Sequence, residues 1–354
     1  MSSLNTEIHQ SFNKIVKPAE SLSKSGLFSV ESANESIIKA KGLPNPKPMI
    51  GNFWKEGELF ILFAFTGTGK TVFAMQIAKA ISEGKSVFKE LPNECEPKKV
   101  LYYDAELSLK QFENRYSDNY RNHTEFSENL IRMYVNRDAI LSEGQSIAET
   151  IIPDIENEIK SRGISVVIID NLSTLREGLE ASKEAKPLMD QLVNLKHKEK
   201  VSLMVVGHTP KQHHFKEMVL ADLQGSAHLS IQLDTCVAMG SSAQDNQTKY
   251  LKEVKMRDGA YLHGADNVIT VEIQKNGFLQ LVFKTTEDEN NHLKKPNADE
   301  IAKQIVELNE EGLSSREIEN HVPYKKTKIN EVIKNHGQRG NAINEDSADK
   351  NTTS

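Results

Sequence analysis

The stretch from Glu58 to Ile81 constrains this chain more than any other. Leu59 to Ala64 is a short continuous apolar run, the mark of a buried parallel strand. Beyond Lys70, apolar residues recur at helical spacing at Ala74, Ile77, Ala78 and Ile81. Between them lies a glycine-rich turn, Phe65-Thr66-Gly67-Thr68-Gly69-Lys70-Thr71. Strand, turn and helix in that order predict an α/β fold with a mainly parallel sheet flanked by helices. The turn itself fits the Walker A pattern from Ala64 to Thr71, with alanine where glycine is commonest. Gly67 and Gly69 permit backbone conformations that point successive N–H groups at phosphate oxygens. The helix beginning near Lys70 adds its positive dipole end, Lys70 can reach the β- and γ-phosphates, and the Thr71 hydroxyl can ligate magnesium. ATP and Mg2+ are therefore the expected ligands, held by Ala64, Thr66, Gly67, Thr68, Gly69, Lys70 and Thr71.

At 354 residues the chain has room for one large α/β domain and a smaller one. Its net charge of −6 gives no chain-wide basic field, so any contact with nucleic acid has to come from a local patch. Two cysteines, Cys95 and Cys236, make neither a disulfide framework nor a metal-binding pair. No basic-then-apolar leader opens the sequence, and no apolar run approaches the ~20 residues of a membrane span, so a cytoplasmic protein without membrane contact is expected.

In chain order, residues 1–42 are polar, with one amphipathic helix expected from Ser29 to Lys41 and ended by Gly42. Trp54, the single tryptophan, reads either as a packed aromatic at the first strand's entrance or as a stacking platform for adenine. A second strand, Val100 to Tyr103, ends on Asp104-Ala105-Glu106; a carboxylate at such a strand tip can orient or deprotonate an attacking water, or be an ordinary solvated strand end. Helices are expected over Lys110–Tyr120, Ile147–Ser161 and Pro187–Lys198, and a short strand over Arg132–Val135. Val166-Val167-Ile168-Ile169-Asp170 is a Walker B strand, whose Asp170 would hold magnesium through water. The strand Val201–Val206 delivers His208, placed to sense a γ-phosphate or simply to pack. Leu233–Met239, Gln247–Val254 and Val268–Phe283 read as further strands, the last two antiparallel. Lys255 and Arg257 fall on one side of a strand end, two cations aimed one way; taken alone they read as a surface hairpin.

Residues 287–297 form a hydrophilic stretch expected to separate the ATPase core, 43–286, from a small domain over 298–336. There Ala302, Ile305 and Leu308 make one helical stripe, Ser314-Ser315-Arg316-Glu317 starts a second helix, and Ile329, Val332 and Ile333 mark a third, the spacing of a helix-turn-helix. Lys325, Lys326 and Lys328 give that last helix a basic face for duplex DNA or, equally, a cap for a protein. Residues 337–354 have little apolar content and are expected to be disordered.

In this order the motifs of residues 43–285 resemble those of RecA-like P-loop ATPases, and most closely the RepA-type hexameric replicative helicases of plasmids and mobile elements. The resemblance implies that Glu106 activates the attacking water and that Lys255 and Arg257 form a cationic finger reaching a neighbouring subunit's nucleotide. It further implies a ring-forming DNA helicase, a hexamer, whose loops from Pro210 to about Ala227 face single-stranded DNA in a central channel. Two other functions fit the same motifs: a recombination or repair accessory ATPase, and a nucleotide-dependent DNA-binding regulator.

Overall fold

The computed structural model describes residues 29–136, 147–171, 185–209, 216–223, 231–294 and 298–336. The chain divides into two units, Met1–Lys47 and Pro48–Ser354. In the first, helix α1 (Ala33–Lys41) starts at Ser32, whose hydroxyl and the Glu35 carboxylate cap each other's backbone N–H groups. The sequence pattern ran the helix four residues longer at this end; the capping box decides the boundary.

The second unit opens with a small hairpin, β1 (Pro48–Ile50) with β2 (Trp54–Lys55). Trp54 is fully buried and its indole N–H donates to the Glu58 carbonyl at 3.1 Å, so it packs the entrance to the core. Strand β3 (Leu59–Ala64) and helix α2 (Lys70–Glu83) follow, then β4 (Val100–Asp104) and α3 (Leu109–Arg115). The expected helix over Lys110–Tyr120 is shorter because Tyr116 turns inward against Phe112, Phe126 and Phe278. Residues beyond it pair as β5 (Ser117–Asp118) with β6 (Asn122–His123). Next come β7 (Leu130–Tyr134), α4 (Ile147–Arg162), β8 (Val166–Asp170), α5 (Ala185–Glu199) and β9 (Ser202–His208). The unit then adds β10 (Thr235–Ser241), β11 (Thr248–Met256), β12 (Val268–Asn276) and β13 (Phe278–Glu287).

One nine-stranded sheet carries the unit, in the order β13-β12-β11-β10-β3-β9-β8-β4-β7. From β10 to β7 every neighbour is parallel, and β11, β12 and β13 continue the sheet antiparallel. The run read as a single strand from Val268 to Phe283 is in fact a hairpin that turns at Gly277, whose φ of 74° suits glycine. Alternation along β3 sends Phe60, Leu62 and Ala64 to the core under α2, and Leu59, Ile61 and Phe63 to the core under α4 and α5. Both faces are thus covered, which is why the strand reads as an unbroken apolar run. Together these features make the RecA-like P-loop fold, a mainly parallel mixed sheet flanked by helices.

Past β13, residues 288–292 are more than a polar spacer. Glu289 and His292 are buried, Glu289 accepting from the Tyr250 hydroxyl and the Met218 amide at 3.0 Å each and from Lys252, and His292 stacking on Tyr250. Helices α6 (Ala298–Glu310), α7 (Ser315–Ile318) and a third over 326–336 then enclose their own small core of Ile301, Ile305, Ile318, Val322 and Ile329. Ile301, rather than the expected Ala302, completes the α6 stripe. Among the described residues no helix is long and apolar enough to cross a membrane.

Tyr250 lies directly opposite Gly240 in the β10–β11 pair, and a Cβ on Gly240 would come within 2.1 Å of the tyrosine ring. Gly240→Ala is expected to cost about 1–3 kcal/mol of unfolding free energy through overpacking. Urea denaturation of the two proteins checks this; an unchanged midpoint would show that the ring has room to move.

Candidate functional site

Parallel registers bring the ends of four strands to one edge. Ala64 of β3 lies opposite His208 of β9, and Asp104 of β4 opposite Asp170 of β8. The glycine turn, both carboxylates and the histidine therefore share the carboxyl edge of the sheet, where open α/β sheets hold their ligands.

In the turn, Gly67 and Gly69 have φ of 79° and 108°, a region that L side chains avoid. A Cβ on Gly69 would also come within 2.8 Å of the Ile273 side chain of β12. Thr66 and Gly67 are exposed at the turn's crest, while the Thr68 hydroxyl is buried and donates to the Phe65 carbonyl at 2.8 Å. Lys70 folds back beneath the turn. Its ammonium donates to the carbonyls of Ala64 and Phe65 at 2.9 and 2.8 Å, and burial lowers its pKa to about 8 against the pull of Asp170 and Glu106. Anionic oxygens arriving at the turn would add to the counter-charge of Asp170 and Glu106 and favour the charged form.

The two aspartates of the edge differ. Asp170 Oδ2 accepts from the Tyr102 hydroxyl at 2.6 Å, and its Oδ1 is buried with no hydrogen-bond partner. Burial raises its pKa to about 6, with the Tyr102 and Thr71 hydroxyls acting in the opposite direction. A lone buried carboxylate oxygen close to a threonine hydroxyl fits a divalent cation and its water shell, so Asp170 and Thr71 would hold Mg2+. Asp104, by contrast, spends both oxygens within the chain, on Arg132 and on the amides of Glu106 and Leu107. Glu106 is exposed at the tip, and Asn171, the residue after the Walker B acid, donates to its Oε1. His208 is half-buried, its pKa lowered to about 4 by burial and by Lys70, and is neutral at physiological pH. Tyr102, Arg132 and Asn171 were not singled out from sequence, though their positions beside the two acidic strand ends were the available signal. Thr209, next to His208, is a further such residue: its buried hydroxyl has no hydrogen-bond partner.

A cavity of about 290 Å³ opens beside the Glu106 turn, lined by Leu107, Gln111, Asn114, Arg115, Lys275 and Leu279. Lys275 follows Ile273, the residue that lies against Gly69, by two positions on β12.

The sheet does not bring Lys255 and Arg257 to this edge. Thr235 pairs with both Phe60 and Met256, so the end of β11 lies at the amino end of β3. The length of β3, at about 3.3 Å per residue, puts Arg257 ~17 Å from Ala64 along the strand direction, and β11 lies two strands to the side of β3. There Arg257 donates to Asp234 Oδ1 at 2.8 Å and to the Ile231 carbonyl at 2.7 Å, with its side chain half exposed. Burial and the Arg257 charge together lower the pKa of Lys255, so the two cations are neighbours.

Because the folded Asp170 carboxyl titrates near 6 and its ordinary value is 3.8, the ligand-free fold is favoured below about pH 4 and loses that advantage as pH rises through 6. Asp170→Asn removes the cost of the buried anion. It is expected to stabilise the Mg2+-free, nucleotide-free protein by up to about 3 kcal/mol at pH 8 and by about half as much at pH 5. Denaturant titrations at the two pH values measure this, and an equal effect at both would contradict the origin assigned to it.

The family described as AAA domain matches residues 27–214, just over half of the chain, and its span includes the glycine turn, Glu106, Asp170 and His208. The search of curated proteins gives no match. Among solved structures, a KaiC-like protein from the hyperthermophilic archaeon Pyrococcus horikoshii OT3 aligns over 67% of this chain and 97% of its own, at 13% identity and a TM-score of 0.44. The phosphate turn, the orphaned Walker B oxygen and the extent of the family match lead to one assignment: the chain belongs to the AAA domain family and is a P-loop ATPase.

Proposed function

We propose that the protein is a ring-forming ATPase that moves on DNA, a replicative helicase of the RepA type serving a mobile element. The observation that carries this reading is the position of Arg257. A cation that closes a phosphoryl-transfer site must reach the γ-phosphate, and Arg257 lies ~17 Å along β3 from its own phosphate turn. In a head-to-tail ring, Arg257 and Lys255 of one subunit meet the carboxyl edge of the next.

In the catalytic cycle, ATP lies with its phosphates over residues 66–71 and its nucleoside in the cavity beside Asn114 and Lys275. Lys70 leaves the carbonyls of Ala64 and Phe65 for the β- and γ-phosphates. Thr71 and Asp170 would hold a magnesium ion, which would supply charge neutralisation at those oxygens. Glu106, oriented by Asn171, takes a proton from the attacking water, and His208 reports the γ-phosphate to the loop that follows it. Lys211 and most of the channel-facing stretch lie outside the described residues; within them, Lys216 pairs with Asp222 at 2.7 Å. The three-helix unit adds duplex contact through Lys325, Lys326 and Lys328, all exposed. Lys325 and Lys328 pair with Glu319 and Glu331 at 3.0 Å each, surface pairs weak enough to yield to phosphates.

Mixing tests the ring. Lys70→Ala should abolish productive nucleotide binding, and Arg257→Ala should bind ATP normally while hydrolysing it ~10³-fold more slowly. Mixed subunits should recover part of the turnover, since some interfaces then pair an intact turn with an intact finger. Full Arg257→Ala activity in a monomer, or no recovery on mixing, would refute the ring. For the C-terminal unit, three phosphate contacts predict a log–log salt slope of roughly −3 for its share of duplex binding. Truncation after Lys294 should remove that share and spare basal ATPase activity; unchanged duplex binding would make the unit a protein-binding cap.

A further inference from the structure

Arg132 belongs to β7 at the rim of the sheet, yet its side chain reaches into the catalytic edge. Its Nε and Nη2 donate to Asp104 Oδ2 at 3.0 and 2.8 Å, and Nη2 also donates to the Leu107 carbonyl at 2.6 Å. Asp104 Oδ1 accepts from the amides of Glu106 and Leu107 at 3.1 and 3.0 Å. Both Asp104 oxygens are thereby doubly engaged, the full capacity of a carboxylate, so Asp104 has no lone pair left for a metal or a water. The guanidinium plane lies between two rings, 4.2 Å from the centre of Phe112 in α3 and 4.7 Å from that of Tyr134 in β7. It is nearly buried, at 13% side-chain exposure, beside an Asp104 at 3%.

A buried pair of this kind roughly breaks even in stability, because desolvating both ions offsets their attraction. Its effect is geometric. Arg132 ties three pieces together: the tip of β4 through Asp104, the following turn through the Leu107 carbonyl, and α3 through Phe112. The residue carried by that turn is Glu106. We propose that Arg132, acting through Asp104, is the positioning residue that holds the Glu106 backbone in place, while Asn171 orients the carboxylate from the other side. The inference rests on the reading of Glu106 as the base that activates water. Lysine cannot take over the task. Its ammonium can donate to Asp104 and to the Leu107 carbonyl, but it has no second nitrogen to complete the fork on Asp104 Oδ2 and no flat face to lie against Phe112 and Tyr134.

The test uses the full chain with Arg132→Lys and, separately, Asp104→Asn. The second keeps the shape of the buried pair, so it serves where the first fails to fold. Each is made in the wild-type and in the Glu106→Gln background. Turnover is expected to fall on the order of 10²-fold, as for a misplaced catalytic group, with ATP affinity within about twofold of wild type. In the Glu106→Gln background neither substitution should slow the enzyme further, because residues acting as one unit are not additive. Hydrogen exchange of a peptide covering residues 104–108 should speed up in both variants. An additive loss on top of Glu106→Gln, or unchanged exchange over 104–108, would overturn the proposal. If Glu106→Gln itself turns over at the wild-type rate, the assignment of the base fails, and the exchange measurement still decides whether Arg132 holds the turn.

Discussion

A buried ammonium stands at the centre of this structure. Lys70 is at the first position of α2, beneath a turn that only glycine at positions 67 and 69 allows, and without a phosphate its partners are two backbone carbonyls. The strand that leads into the turn, β3, is fully buried between β9 and β10 and packed on both faces. Burial therefore raises the energy of the charged lysine by more than Asp170 and Glu106 recover, and an anionic ligand would favour the charged form further. Asp170 repeats the arrangement with the opposite sign, a buried carboxylate with one oxygen facing no partner. Both charged groups lie at the carboxyl ends of fully buried central strands, Lys70 after β3 and Asp170 at the end of β8.

Asp104 and Asp170 pair in adjacent strands and look alike in the sequence, each an acid closing an apolar run. The structure divides the work between them by hydrogen bonding. Asp104 is saturated and fixes a turn, whereas Asp170 keeps an oxygen available. Glu106, two residues on, is exposed and belongs to the turn that Asp104 holds. In the proposed mechanism this strand tip would supply a brace, Asp104, and a base, Glu106, within three residues. This is why the spacing Asp104-Ala105-Glu106 carries more information than either carboxylate does.

Much of this was legible in the sequence. Burial on both faces leaves strands such as β3, β8 and β9 as continuous apolar runs, and a glycine turn between strand and helix has fixed offsets, so the fold class and the places of the turn and of the acid-ended strand could be read directly. Boundaries set by side-chain contacts were not legible. Tyr116 shortens α3 because it meets Phe126 and Phe278, the latter on a strand far along the chain. Gly277 splits the last expected strand in two, and Glu289 and His292, in a stretch that reads as solvated, are buried against Tyr250. Arg132 was hidden for the same reason: its role depends on which strand lies beside β4, and a five-residue strand does not announce its neighbour. The placement of Arg257 required the sheet order as well, because only the register of β10 and β11 puts it at the opposite end from the turn.

The central claim is that one subunit's phosphate turn and carboxylates are completed by the next subunit's arginine. A structure of the protein with Mg2+ and a transition-state mimic of ATP hydrolysis tests it most directly. The account predicts Lys70 released from the Ala64 and Phe65 carbonyls onto the phosphates, Glu106 at the attacking water, and Arg257 released from Asp234 onto the neighbouring subunit's nucleotide. A bound mimic with Arg257 still on Asp234 in every subunit, or with a site closed by residues of one chain alone, would contradict it.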